Sequence, residues 1–294
     1  MDKPAGVTSH DVVARLRRVL GTRAVGHTGT LDPFATGLLV ALVGRATRLA
    51  RFVEGQSKTY RATLRLGVRT DTDDLTGAPA GGTVPERWPE EAEVRSALEA
   101  MVGPQQQRPP AFSAKHVDGQ RSHRLARRGV EVELEPVEVT VHALALLAWH
   151  APDAEFRVTV SSGTYVRALA RDVGEKLGLG AHLVALRRES IGALSVSDAL
   201  PLDAIDGPAA LRPPLAVLGH LPRVALDDAA RAHVAHGRVI PRPYGVDGTV
   251  ALVQGNELVA VANAVEGNLQ PVVVLATADS LPTADSRLPT DVHG

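Results

Sequence analysis

Residues 26–39 read GHTGTLDPFATGLL, a glycine-punctuated loop that runs into an apolar segment ending at Gly44. Glycines ahead of an apolar run can cradle an anion, so phosphate-binding patterns are the first comparison. The spacing is not G-x-G-x-x-G and no Gly-Lys-Ser/Thr follows, which excludes a dinucleotide-binding turn and a P-loop. What remains is a carboxylate in a turn, Leu31-Asp32-Pro33, with His27 five residues before it. Asp before Pro is usually turn chemistry and a single histidine is usually structural. By residue type alone, this loop is a connector between framework elements.

Those elements lie on both sides. Upstream, TSHDVVARLRRVL (8–20) places Val12, Val13, Leu16, Val19 and Leu20 at helical spacing after a Thr8 or Ser9 cap, with Gly21 as the stop. Downstream, TYRATLRLGV (59–68) alternates Tyr60, Ala62, Leu64 and Leu66 as a half-buried strand does. PEEAEVRSALEAMVG (89–103) predicts a helix with acids in its first turn, where the helix dipole favours them. The polar stretch QQQRPPAFSAKHVDGQRSHRLARRG (105–129) has too little apolar periodicity for core. From Val130 onward strands dominate: VEVTVHALALLAWH (137–150) and AEFRVTVSSG (154–163), then a helix, YVRALARDVGEKLG (165–178), closed by Gly178.

GPAALRPPLAVLGHL (207–221) reads as a linker. Beyond it, GTVALVQGNELVAVANAVEGNLQPVVVL (248–275) is a run of short strands with Gly and Asn turns, predicting a small β module at about 222–277. Residues 278–294, rich in Ala, Thr, Pro, Asp and Ser, predict a disordered tail. Mixed helices and strands before Gly207 predict an α+β domain over 1–215.

The chain has no cysteine, which excludes disulfides, thiolate metal sites and a cysteine nucleophile. Its apolar runs stop short of the roughly 18 residues that span a bilayer, and no charged-then-apolar leader opens it, so a cytoplasmic protein is expected. The formal charge of −1 hides an uneven distribution. Residues 1–70 hold 12 Lys/Arg against 4 acids, residues 71–99 hold 2 against 8, and residues 108–128 hold 6 against 1. A balanced total can thus conceal a basic face that steers a polyanion, although charge alone fits solvated helix faces equally. His233 and His236, three apart, lack a further ligand at recognisable spacing, so no metal is assigned. Ser161-Ser162-Gly163 lacks the nucleophile-elbow pattern of a serine hydrolase.

Several segments nevertheless resemble one family together and in order: DKPAGVTSHDVV, GHTGTLDPFATGLL, KTYRATLRLGVRTDTDD, QRPPAFSAK and SSGTYVRALARDVGEKLGLGAHLVALRR. They are similar to the tRNA pseudouridine synthases of the TruB type over residues 1 to about 200. The terminal module looks like a short PUA-type RNA-binding domain. The resemblance implies a mixed, mostly antiparallel sheet with flanking helices, an RNA-gripping insertion at about 104–129, and a small β-rich PUA-like domain. It also implies isomerisation of the uridine at position 55, in the T loop of tRNA, to pseudouridine. The partner is then the tRNA T arm, with no cofactor, no DNA and no membrane; protein partners stay open.

The resemblance also assigns roles. Asp32 matches the catalytic aspartate, a suitable nucleophile when ionised; attack at the sugar C1′ or at uracil C6 is left open. Arg167 matches the arginine paired with it, a pairing expected to lower the aspartate pKa and keep it charged in an apolar pocket. Tyr60 matches the tyrosine that stacks on the target base, and Tyr165 and Leu186 match further pocket-lining positions. His27 matches the residue that enters the space left by the flipped nucleotide, and Lys3 a pocket lysine. The sequence departs from the family at His116, where Lys is usual, and at His123, where Tyr is usual. Two other readings are a tRNA-binding chaperone with little or no turnover, and a pseudouridine synthase acting on another RNA.

Overall fold

The computed structural model describes residues 1–113, 116–117, 120–121 and 134–276. Most of the expected insertion, including His123, and the expected tail therefore lie outside the described residues. The chain divides into two compact units, Met1–Leu211 and Arg212–Gly294.

The first unit begins with β1 (Asp2–Lys3) and α1 (Ser9–Val19). Thr8 caps α1 through a capping box: its hydroxyl accepts the Asp11 N–H, and the Asp11 carboxylate accepts the Thr8 N–H. Val12, Val13 and Leu16 face the core, as the spacing predicts. Next come β2 (Val25–Thr28), β3 (Thr36–Leu38), β4 (Val40–Val43), α2 (Ala50–Glu54) and β5 (Lys58–Leu66). They are followed by α3 (Glu91–Glu99), β6 (Gly103–Gln107), β7 (Val137–His150), β8 (Asp153–Val160), α4 (Val166–Lys176) and β9 (Ala181–Ile191).

Strand order in the main sheet is β1-β3-β9-β5-β8-β7-β6, antiparallel throughout except where β9 runs parallel to β3. β5 shows why the sheet buries one face: Lys58, Tyr60, Ala62, Leu64 and Leu66 are buried while Arg61 and Arg65 are exposed. The outward arginines pair across strands, Arg61 with Glu155, Arg65 with Asp153 at 2.7 Å, and Arg157 with Glu189 at 2.7 Å. Helices α1, α3 and α4 contribute Leu16, Leu98 and Leu169 to the core around β5.

The parallel β3–β9 contact requires a glycine. Gly37 sits at φ +102, and a Cβ there would lie 2.2 Å from the Arg188 carbonyl oxygen. Gly37→Ala is therefore expected to cost about 3 kcal/mol, left-handed strain added to overpacking. Urea denaturation would show it as a lowered midpoint at unchanged slope.

The second unit holds β10 (Arg223–Ala225), α5 (Asp228–Ala235), β11 (Ile240–Pro241), β12 (Thr249–Gln254), β13 (Glu257–Val265) and β14 (Asn268–Val274). Their order is β10-β12-β13-β14-β11, a small curled sheet of PUA-like form closed by α5 over Val234, Val250, Leu252, Val259 and Leu269. Within the stretch read as a linker, Pro214–Leu218 forms a 3-10 turn that buries Leu215 and Leu218.

Candidate active site

The loop that residue type alone marks as a connector is held from three sides. Ser9, at the start of α1, exchanges hydrogen bonds with Leu31: its hydroxyl accepts the Leu31 N–H at 3.0 Å and donates to the Leu31 carbonyl at 3.2 Å. Lys3, fully buried, donates to the carbonyls of Pro4, Val7 and Pro33 at 2.9, 2.8 and 3.4 Å. Arg188 of β9 donates to Leu38 at 2.7 Å and to Gly29 at 3.0 Å, bracing both ends of the loop. Asp32 stands between these pins.

Its carboxylate meets Arg167, in the first turn of α4, through two contacts: Nε to Oδ2 at 3.0 Å and Nη2 to Oδ1 at 3.2 Å. Bidentate pairing fixes orientation as well as charge. Far from being a surface residue, Arg167 also donates to the carbonyls of Thr72 at 2.8 Å and Phe112 at 3.0 Å, and reaches Asp74 Oδ2 at 3.5 Å. The Asp32 side chain keeps 32% of its surface exposed, against 6% for Arg167 and 5% for Asp74. Asp32 alone of the two carboxylates can meet a ligand.

One expectation is corrected here. Pairing was expected to hold the Asp32 pKa down, but burial pushes the carboxyl above the ordinary 3.8, and the Asp74 charge adds to that rise. Arg167 and Lys3 pull the other way without prevailing. The cause is desolvation: a carboxylate removed from water loses more than one cation shared with a second carboxylate returns.

Tyr165 is the residue preceding α4, and Gln107 clasps its backbone, accepting its N–H at 2.8 Å and donating to its carbonyl at 3.1 Å. Burial raises the pKa of its hydroxyl. Tyr60 and Leu186 are buried in the same apolar cluster as Leu31, on adjacent strands where Tyr60 registers with Arg188 and Ala62 with Leu186. His27, on β2, has its pKa lowered by burial and then by Arg188, and its Nδ1 is buried without a partner. The fold thus gathers Asp32, Arg167, Tyr165 and Lys3 around one loop, and buries Tyr60 and Leu186 in the apolar cluster that also holds Leu31. Among the described residues, no cluster of three or more His, Asp or Glu could hold a metal ion.

Residue reading missed Asp74, Gln107, Ser9 and Arg188. Asp74 accepts from the Thr72 hydroxyl at 2.8 Å and from the Thr76 N–H and hydroxyl at 2.9 and 2.6 Å, which locks it beneath Arg167. It ends KTYRATLRLGVRTDTDD (58–74), a segment that carries the resemblance without a role being assigned to Asp74. The basic surplus of residues 1–70 is also smaller at the surface than the count implies. Arg61, Arg65 and Arg69 are paired, and Lys3 and Lys58 are buried, leaving the exposed arginines chiefly on α1 and over residues 44–51.

Comparison with known proteins identifies the family. The TruB family pseudouridylate synthase (N terminal domain) model matches residues 17–166. The tRNA pseudouridine synthase B of Thermobifida fusca is 46% identical over 290 residues, covering 94% of this chain and 97% of that protein. The protein of the same name from Gloeobacter violaceus is 43% identical over 290 residues, covering 94% and 98%. Among solved structures, the archaeal box H/ACA sRNP Nop10–Cbf5 complex matches with a TM-score of 0.71 at 26% identity, covering 95% of this chain and 85% of that one. An H/ACA RNP bound to a substrate RNA containing 2′-deoxyuridine matches at 0.72 and 26%, covering 95% and 84%. The family model over residues 17–166 and relatives 43–46% identical over 94% of the chain show that this chain belongs to the TruB family of pseudouridylate synthases.

Proposed function

We propose that this protein isomerises uridine to pseudouridine at position 55, in the T loop of tRNA, in the cytoplasm, with Asp32 as nucleophile and without a cofactor. The observation that carries this reading is the partly exposed Asp32 carboxylate held through two contacts by a buried Arg167. The relatives named tRNA pseudouridine synthase B support tRNA as the substrate.

The chemistry fits the groups present. The N1–C1′ bond breaks, a C5–C1′ bond forms, the C5 proton leaves and N1 takes one up, so atoms balance with no net redox change and no external group. The uracil must first leave its stack, at a cost of a few kcal/mol. Tyr60, Tyr165 and Leu186 offer the apolar and flat surfaces that receive it, and His27 borders the entrance. Arg167 keeps the carboxylate aimed and stabilises its charge in a pocket that closes over the base. Exposed arginines on α1 and over residues 44–51 grip the phosphates of the folded arm.

The test is tritium release from a T-loop transcript labelled at uracil C5, with chelator present and nothing else added. Release at the position corresponding to 55 is expected; tight binding without release would favour a chaperone, and release only from other RNAs would move the substrate. Because Asp32 must be ionised, kcat/KM should fall on acidification through a pKa above 3.8. For a raised carboxyl the folded state binds more protons than the unfolded one, so Asp32 itself adds stability as pH falls through that window. Rate is therefore expected to drop before far-UV circular dichroism reports unfolding, and simultaneous loss of both would contradict the assignment.

A further inference from the structure

Against the loop that carries Asp32, two cations are buried together with no anion between them. Lys58 is 7% exposed and Arg188 1%. Lys58 donates to the carbonyls of Glu54 and Gln56, each at 2.8 Å, and Arg188 to those of Leu38 and Gly29. All four acceptors are neutral, and among the described residues neither cation has a carboxylate within ion-pair distance. Their charges act on each other: burial and then Arg188 push Lys58 down to about 8. The other groups in range are Glu54, an exposed residue acting on Lys58 and His27, and His10 and Lys3, acted on or acting alongside Arg188.

The two side chains converge on Gly29, at φ +81, where a Cβ would lie 3.5 Å from Arg188 Nη1 and 3.7 Å from Lys58 Cε. The hydrogen bonds of Lys58 and Arg188 all run to backbone carbonyls, and His27 Nδ1 and Thr28 Oγ1, in the two residues before Gly29, are buried without a partner among the described residues. Buried like charges are costly unless an anion joins them. Along β5, Lys58 and Tyr60 share one face about 6.6 Å apart, comparable to the separation of a nucleobase from its own backbone phosphate.

We propose that Lys58 and Arg188, converging on Gly29, form a subsite for one phosphodiester flanking the target uridine. The proposal rests on the uridine-isomerising reading and deepens it: the base stacks at Tyr60 while its phosphate is held two residues down the same strand. The bound anion would supply the missing counter-charge, so the subsite contributes to binding and, by fixing the backbone, to the register in which the base is presented to Asp32.

The test uses T-loop RNAs in which each of the two phosphodiesters flanking the target uridine is replaced in turn by a neutral methylphosphonate. For the wild-type protein, one of the two replacements should weaken binding about tenfold. Lys58→Met should weaken binding of natural RNA by a similar factor and lose nothing further with that neutral linkage, whereas Lys58→Arg should keep the sensitivity. The salt slope of Lys58→Met should fall by about 0.7. Losses that simply add for both linkages would overturn the subsite and leave Lys58 a structural lysine.

A second readout needs no variant. Near pH 8, binding of natural RNA should take up protons, because a phosphate restores the charged lysine, and the neutral linkage should abolish that uptake in calorimetry across buffers of different ionisation enthalpy. Equal uptake with both RNAs would also overturn it. Pseudouridine formation by the wild type on natural RNA is read in parallel. Its absence would count against the proposed activity, while normal formation with indifference to both linkages would count against the subsite alone.

Discussion

Asp32→Asn should eliminate tritium release, by about 10⁴-fold or more, the scale on which loss of an enzyme's nucleophile is felt. RNA binding should stay within a few-fold of wild type. The substitution is nearly isosteric, and an amide oxygen can still accept one of the two Arg167 hydrogen bonds at 3.0 and 3.2 Å. The fold is expected to tolerate it, because burial already favours a neutral group at this position. What disappears is the ionised oxygen that, on the proposed mechanism, forms the covalent bond. Equilibrium binding and single-turnover rates on saturating RNA separate the two effects. Loss of binding with an unchanged rate per bound RNA would remove Asp32 from the chemistry and make it a docking residue.

Arg167→Met should damage both the fold and the rate. It leaves the Asp32 and Asp74 carboxylates near one another without their shared cation, and it strips the carbonyls of Thr72 and Phe112 of a donor. Breaking a buried pair from one side costs about 3–5 kcal/mol, so thermal melting should fall markedly. Losing the cation should also raise the Asp32 pKa further, so the acidic limb of the rate profile moves to higher pH and the rate falls by about 10²–10³-fold. Arg167→Lys restores the charge without the planar fork and should lie between, recovering stability more than rate. A full rate with the wild-type pH profile in Arg167→Met would show that the pair is structural only.

Much of the framework was legible in local pattern. Alternation at Tyr60, Ala62, Leu64 and Leu66 marked β5, helical spacing at Val12, Val13 and Leu16 marked α1, and the Gly and Asn turns near the C terminus marked the small β unit. These signals survive because strand and helix periods are written into neighbouring residues. The site was less legible. Asp32 and Arg167 are 135 residues apart, and each taken alone reads as a turn or a helix surface. Only the resemblance joined them, and although Asp74, Ser9 and Gln107 lie within its segments it assigned no role to these residues, which hold the pair and its neighbours in place.

The local elements, the separate character of the C-terminal β unit and the missing thiols were thus determined by the sequence alone. The order β1-β3-β9-β5-β8-β7-β6, the burial of Lys3, Lys58 and Arg188, and the direction in which the Asp32 pKa moves were decided only by the tertiary structure. Periodicity is a short-range property of the chain, whereas strand pairing, desolvation and shared counter-charges depend on which distant residues are brought within a few ångströms of one another.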